Sequence, residues 1–243
     1  MTKKSFKEKL NYFTLGEKIL WCASVILIVL SFLIFDRENF LTLIASMIGI
    51  TSLIFNAKGN PFGQLLIIIF SIMYEIISFT FSYYGEMITY LGMTAPMALF
   101  SLVSWMKNPY NGNKVEVKVK HLNKREIIFM FALTIIVTFA FYFILKAFNT
   151  TNLIPSTISV TTSFLAAYLT FRRSLLYAIG YATNDIVLII LWIMSTIKDV
   201  SYLSVVICFI VFFFSDIYGF INWSKMGKKQ LASTDVETKS KVL

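Results

Sequence analysis

Residues 174–194 read SLLYAIGYATNDIVLIILWIM, an apolar run long enough to cross a bilayer as a helix, with Asn184 and Asp185 near its middle. An ionisable side chain at that depth costs about 3 kcal/mol on insertion scales and is a functional-site candidate by default. At about 100° per residue, Tyr177, Tyr181, Asn184, Asp185 and Trp192 fall within roughly 100° of one another. One face therefore offers aromatic rings beside hydrogen-bonding and acidic groups, a chemistry suited to a flat, polar, cationic ring. The structural alternative is that Asn184 and Asp185 bond to other helices and that the rings only pack.

Four further runs carry polar residues that bear on the same question. In 64–82, Gln64, Ser71, Glu75, Ser78 and Ser82 share roughly 60° of the helix wheel. Such a stripe suggests a water-accessible path, with Glu75 facing the first site from across the molecule. In 87–105, Thr94, Ser101 and Trp105 share a face, and Pro96 bends or thins the helix there. In 202–223, Asp216 and Trp223 share a face, and Asp216 is read as a gate or a structural residue. In 155–170, Ser159, Ser163, Ala166, Ala167 and Thr170 form a small-residue side suited to close helix contact, and Tyr168 reaches toward a cavity. Trp105 and Trp223 are read as interfacial anchors. The candidate binding set is thus Tyr177, Tyr181, Asn184, Asp185, Trp192 and Glu75. The candidate gate or pathway set is Gln64, Ser78, Thr94, Tyr168 and Asp216.

The elements that must hold these residues are legible in composition. Of 243 residues 57% are hydrophobic and 14% charged, and the apolar residues come in long blocks. That defines an all-helical polytopic membrane protein. Eight spans are expected at 19–35, 40–55, 64–82, 87–105, 126–145, 155–170, 174–194 and 202–223. The net charge of +9 reflects basic residues flanking the blocks, not a nucleic-acid surface. With both termini inside, 19 of the 22 Lys and Arg residues lie on the inner side, which supports eight spans and cytoplasmic ends.

Spans two to four resemble six to eight. Ser104-Trp105-Met106-Lys107 closes one set and Asn222-Trp223-Ser224-Lys225 the other. The expected layout is an interfacial segment at 1–18, an extra helix at 19–35, a three-helix repeat at 40–105, a connector at 126–145, a second repeat at 155–223 and a polar, mobile cytoplasmic tail at 224–243. The repeats are parallel, related by an axis along the membrane normal. Cys22 and Cys208 lie inside apolar blocks, and His121 has no partner at metal or catalytic spacing. No nucleotide, metal or nucleophile motif is present, so neither an enzyme nor a bound cofactor is expected.

Several runs, in this order and spacing, carry a resemblance: YGEMI at 84–88, SWMK at 104–107, TTSFLAAYLTFRRS at 161–174, NDIVLIILW at 184–192 and NWSK at 222–225. Over nearly all of 18–226 the chain resembles the PnuC family of vitamin transporters, whose best-known members carry nicotinamide riboside. The resemblance implies a three-one-three core, a homotrimer in the inner membrane and facilitated diffusion of an unphosphorylated precursor. A cytoplasmic kinase then traps the product. In the family pattern tryptophans precede a polar residue on the seventh span. Here Asp185 holds the polar position, while Ala178 and Tyr181 stand where tryptophans often do. Relatives with altered site residues use thiamine, which is therefore the alternative ligand.

Overall fold

The computed structural model describes residues 12–80, 84–150, 152–197 and 199–240. Eight helices are long and apolar enough to cross a membrane. They are built from α1 (Leu15–Phe35), α2 (Phe40–Ala57), α3 (Phe62–Thr80), α4 (Tyr84–Thr89) continuing into α5 (Ala95–Met106), α6 (Lys124–Ala147), α7 (Leu153–Phe171), α8 (Tyr177–Thr196) and α9 (Leu203–Ser240). Most of the expected interfacial segment lies outside the described residues.

Local chemistry sets the helix ends. Capping boxes open α1 and α6: Thr14 with Glu17, and Asn123 with Glu126. Gly59, at φ +66°, turns the chain between α2 and α3, and the Asn60 side chain accepts from Phe62 N–H. Between α4 and α5 the residues Tyr90–Thr94 form a π-helical turn, in which Ala95 N–H donates to Tyr90 O. Pro96 explains it, because proline cannot donate to the carbonyl four residues back and its ring clashes there.

Two features depart from the expected layout. The connection after α5 is a hairpin, β1 (Pro109–Tyr110) against β2 (Asn113–Val117). Asn111 and Gly112 both have positive φ, as a two-residue hairpin turn requires. Past Trp223 the chain stays helical, and α9 runs to Ser240. Gln230 holds this extension to the hairpin, donating to Glu116 Oε1 and Val117 O and accepting from Val119 N–H. Val117 N–H in turn reaches Gly59 O.

The ends of the helices divide the molecule. Lys58, Lys107, Lys120, Arg172, Arg173 and Lys225 gather at one end, termed the basic end. There Lys58 pairs with the buried Glu17 at 3.2 Å, and Tyr218 donates to the same carboxylate at 2.9 Å. Glu126 pairs with both Lys120 and Arg172. Burial pushes the Arg173 guanidinium below its ordinary range, and the adjacent Arg172 adds to the effect.

Two buried clusters fill the interior. One, nearer the far end, is built on Ile50, Phe70, Tyr74, Leu191, Trp192, Phe209 and Phe212. The other, at the basic end, is built on Trp105, Tyr177, Trp223, Phe164, Tyr168 and Met226. Helix α8 threads both. Its close approach to α7 depends on Gly180: a Cβ there would lie 2.9 Å from Ala166 Cα. The small-residue side expected on α7 is where this contact forms.

Candidate functional site

A cavity of about 120 Å³ lies between the helices, between the basic-end tryptophans and the far-end aromatic residues. Helices α2, α3, α7, α8 and α9 line it together with the π-helical turn. Its walls are aromatic at Phe70, Tyr90, Tyr181, Trp192 and Phe212, and hydroxylic at Ser52, Thr89, Thr94, Thr150, Ser159 and Ser163. Among the described lining residues there is no Lys, Arg or His, while Asp185 and Asp216 are both present.

The carboxyls of Asp185 and Asp216 lie within hydrogen-bonding reach of each other across the α8–α9 interface. Both residues are 4% exposed. Asp185 Oδ2 is buried with no hydrogen-bond partner, and so is Thr150 Oγ1. Asn184 is differently placed. Its Oδ1 accepts from Thr162 Oγ at 2.8 Å and from Ser159 Oγ at 3.4 Å, so its carbonyl is committed to α7. The amide nitrogen is what Asn184 has left to offer a ligand.

The structure therefore brings together Tyr181, Asn184, Asp185, Trp192, Thr94 and Asp216. It does not bring in Tyr177, which lies at the basic end with its ring 4.7 Å from Trp223. Nor does Glu75 line the cavity. The neighbouring Tyr74 turns inward instead, its ring 5.0 Å from Phe70 and 4.9 Å from Tyr90. Ser78 lies in a second cavity, of about 350 Å³, at the far end among Asp36, Arg37, Glu38, Asp199 and Tyr202. Trp192 borders both cavities and is the partition between them. Gln64 is buried and donates to Asn56 Oδ1 at 2.8 Å, one step removed from the lining. Tyr168 packs in the basic-end cluster against Phe164.

Trp105 and Trp223 are not interfacial anchors. Both are fully buried, their rings 5.3 Å apart, and they form a collar beneath the cavity. Trp105 Nε1 donates to Thr170 O at 2.9 Å, and Trp223 Nε1 to Asn56 O at 2.8 Å. The preceding residues repeat the pattern: Ser104 Oγ donates to Phe171 O and Asn222 Nδ2 to Ala57 O. Each dipeptide thus grips the last turn of a helix in the other half of the chain. Asn56 joins collar to cavity, since its side chain lines the cavity floor. Sequence reasoning missed Asn56, Tyr90 and Thr150. Asn56, a polar residue near the end of an apolar run, carried a signal; Thr150, in a connection, carried none.

An eight-span helical protein with an acid-bearing, aromatic-walled cavity among its helices has the architecture of a small-molecule membrane transporter. The chain is a member of the family described as nicotinamide mononucleotide transporter, whose profile matches residues 39–225. It is 25% identical over 200 residues to the nicotinamide riboside transporter PnuC of Neisseria mucosa, covering 81% of this chain and 76% of that relative. It also matches the crystal structure of the vitamin B3 transporter PnuC with a TM-score of 0.79 at 24% identity, over 95% of this chain and all of that one. That likeness establishes the shared fold.

Proposed function

We propose that this protein carries nicotinamide riboside across the cytoplasmic membrane by facilitated diffusion. The observation that carries the reading is the cavity's charge: two carboxyls, no described cationic side chain, and an Asp185 oxygen that no donor reaches. The pyridinium ring of the riboside is a flat cation, which a carboxylate and aromatic faces stabilise. Tyr181, Tyr90, Phe70 and Phe212 supply those faces. The Asn184 amide and the hydroxyls of Thr150, Ser159 and Ser163 are placed to meet the ribose and carboxamide.

The same charge argues for the riboside over the mononucleotide of the family's name. A phosphate brought into this cavity would meet two carboxyls and no described cation, at the cost of a poorly compensated buried charge. Phosphorylation by a cytoplasmic kinase then makes the movement one-way, because the product is excluded from the carrier. The basic end faces the cytoplasm, as do both termini.

The arrangement of the parts supports alternating access. The collar of Trp105 and Trp223 closes the cytoplasmic side, and Trp192 partitions the cavity from the outer vestibule. The matched grips of the two dipeptides support parallel repeats moving against each other about an axis along the membrane normal. The cavity is narrow for a nucleoside, since small-molecule sites run to about 300 Å³ and more. Loading therefore separates its walls. The working unit is a homotrimer, and the substrate leaves chemically unchanged.

Calorimetry with purified protein tests this. Nicotinamide riboside should bind and its mononucleotide should not. Binding of thiamine alone would retain the cationic site and change the vitamin. Binding of the mononucleotide would overturn the charge argument.

A further inference from the structure

The basic end holds a group of cations that its acids do not balance. Lys120, Arg172 and Arg173 gather where the chain entering α6 meets the turn between α7 and α8, joined there by the bond from Lys120 N–H to Arg173 O. Among the described residues Glu126 is the acid that pairs with this group. Its carboxylate already accepts from Asn123 N–H, pairs with Lys120 at 2.7 Å and pairs with Arg172. Arg173 makes no ion pair among the described residues, and the Nε atoms of Arg172 and Arg173 are buried without an acceptor. Burial, with the two guanidinium charges added, pushes the Lys120 ammonium below its ordinary range. Arg173 also sits at φ +59°, a left-handed conformation that glycine adopts without strain. Beside this group a groove of about 530 Å³ runs between α6, α7 and α8. Its rim is formed by His121 and Ser174, each next in the chain to one of the cations. The Ser174 hydroxyl accepts from Leu176 N–H at 3.3 Å, which leaves its proton to donate. Below the rim the walls are apolar, and Ile127, Phe131, Leu176 and Ile179 lie exposed there. From Leu176 to Thr183 at the deep end is about 10 Å of helix, so the groove stays within one leaflet of a hydrocarbon core about 30 Å thick.

We infer that this groove seats one anionic phospholipid, its phosphate on Arg173 with Lys120 and Arg172 beside it, and an acyl chain lying between α6 and α8. Charge selects the occupant. Uncompensated cations at a membrane boundary attract anionic headgroups, and an apolar furrow of leaflet depth takes the attached chain. A soluble phosphate would meet the cations but leave the apolar walls uncovered. The inference does not depend on what the central cavity carries. One bond connects the two sites: Thr162 lines the groove, and its hydroxyl donates to Asn184 Oδ1 in the cavity wall at 2.8 Å. A seated chain thus packs against the residue that orients Asn184.

Thermal unfolding of the intact protein in a neutral detergent tests this, with dioleoyl phosphatidylglycerol, dioleoyl phosphatidylcholine or glycerol 3-phosphate added. The anionic lipid should raise the midpoint by about 5 °C or more near saturation, and native mass spectrometry should retain one such lipid per chain. The other two additives should do neither. Arg173→Gly separates the anion site from the fold. It relieves the strained φ, so the lipid-free midpoint should hold or rise, while the response to the anionic lipid is lost. Thr183→Phe fills the deep end with every charge in place and should weaken the same response. An equal response to phosphatidylcholine overturns the inference, since the groove is then ordinary lipid-facing surface. An equal response to glycerol 3-phosphate overturns it in favour of a soluble anion. An undiminished response in Arg173→Gly overturns it by placing the headgroup elsewhere. So does an undiminished response in Thr183→Phe; if light scattering shows that this variant also changes oligomeric state, the groove is a contact between copies of the chain.

Discussion

Helix α8 passes through two buried environments that treat polar atoms in opposite ways. At the basic end, both collar indoles are bonded and the helix-terminal carbonyls of α2 and α7 are gripped from the opposite half. About two turns further along α8, at the cavity, Asp185 Oδ2 has no partner, and neither has Thr150 Oγ1 from the connection before α7. An unsatisfied buried polar atom costs about 1–3 kcal/mol, and more when it is charged. The collar uses polar groups to specify packing, while the cavity leaves Asp185 Oδ2 and Thr150 Oγ1 uncommitted at a cost to stability, as the proposed binding role requires. The contrast separates residues whose loss should lower stability from those whose loss should lower binding.

The largest effect should come from Asp185→Ala. Uptake into proteoliposomes should fall by about 100-fold or more, since truncation at a desolvated hot spot costs at least about 2–4 kcal/mol. Thermal unfolding of the same variant should be little changed or improved. A folded variant with normal uptake would break the contrast at its strongest point. Trp223→Ala should do the reverse and lower stability by about 3–5 kcal/mol, as for other buried aromatic truncations. The check is denaturation of the protein in detergent; an unchanged midpoint would mean that the collar is not structural. Thr150→Val sharpens the contrast from the cavity side. It replaces an unpaired hydroxyl by a methyl of similar size, so stability should hold or rise by about 1 kcal/mol while riboside affinity falls severalfold.

The smallest effect belongs to the outer vestibule. Ser201 N–H donates to Asp199 Oδ1 at 2.9 Å, and this backbone bond, with the Ser201 hydroxyl, holds the Asp199 carboxyl below its ordinary range. A depressed acid contributes stability above its unfolded value, and that contribution fades as pH falls through the folded one. Asp199→Ala should therefore lower the unfolding midpoint slightly at pH 7 and match wild type near pH 2, read by melting at the two values.

How much of this was legible in the sequence differs between the two environments. Span length, order and the polar core of α8 follow from hydropathy and periodicity, because a bilayer forces apolar residues into whole helices. The cavity face was read in part: Asp185, Asn184, Tyr181 and Trp192 share it as expected. Tyr177 and Trp192 are separated by 15 residues, or about 22 Å of helix at 1.5 Å per residue, so no single ring contacts both. Rotation about the helix axis was readable, but depth relative to the neighbouring helices was not. On α3 the rotation itself was missed: Tyr74, about 100° round the helix from Glu75, takes the inward position. The collar was unreadable as a collar, since a tryptophan near a span end looks the same whether it meets lipid headgroups or another tryptophan. The Asn111-Gly112 turn was a local signal in a basic loop and could have been read as a hairpin.

Helix α9 holds Asp216 in the cavity and Gln230 on the hairpin in one continuous rod. Fourteen residues separate them, about 21 Å of helix. If the rod pivots near Asp216 by about 10°, Gln230 sweeps sideways by almost 4 Å at that lever length. Hydrogen bonds to Val117 and Val119 cannot stretch that far. Either the hairpin travels with the rod, pulling on Gly59 through Val117, or it lets go. A small adjustment at the cavity would thereby be amplified into a displacement at the basic end, large enough for a reporter group on the hairpin to register.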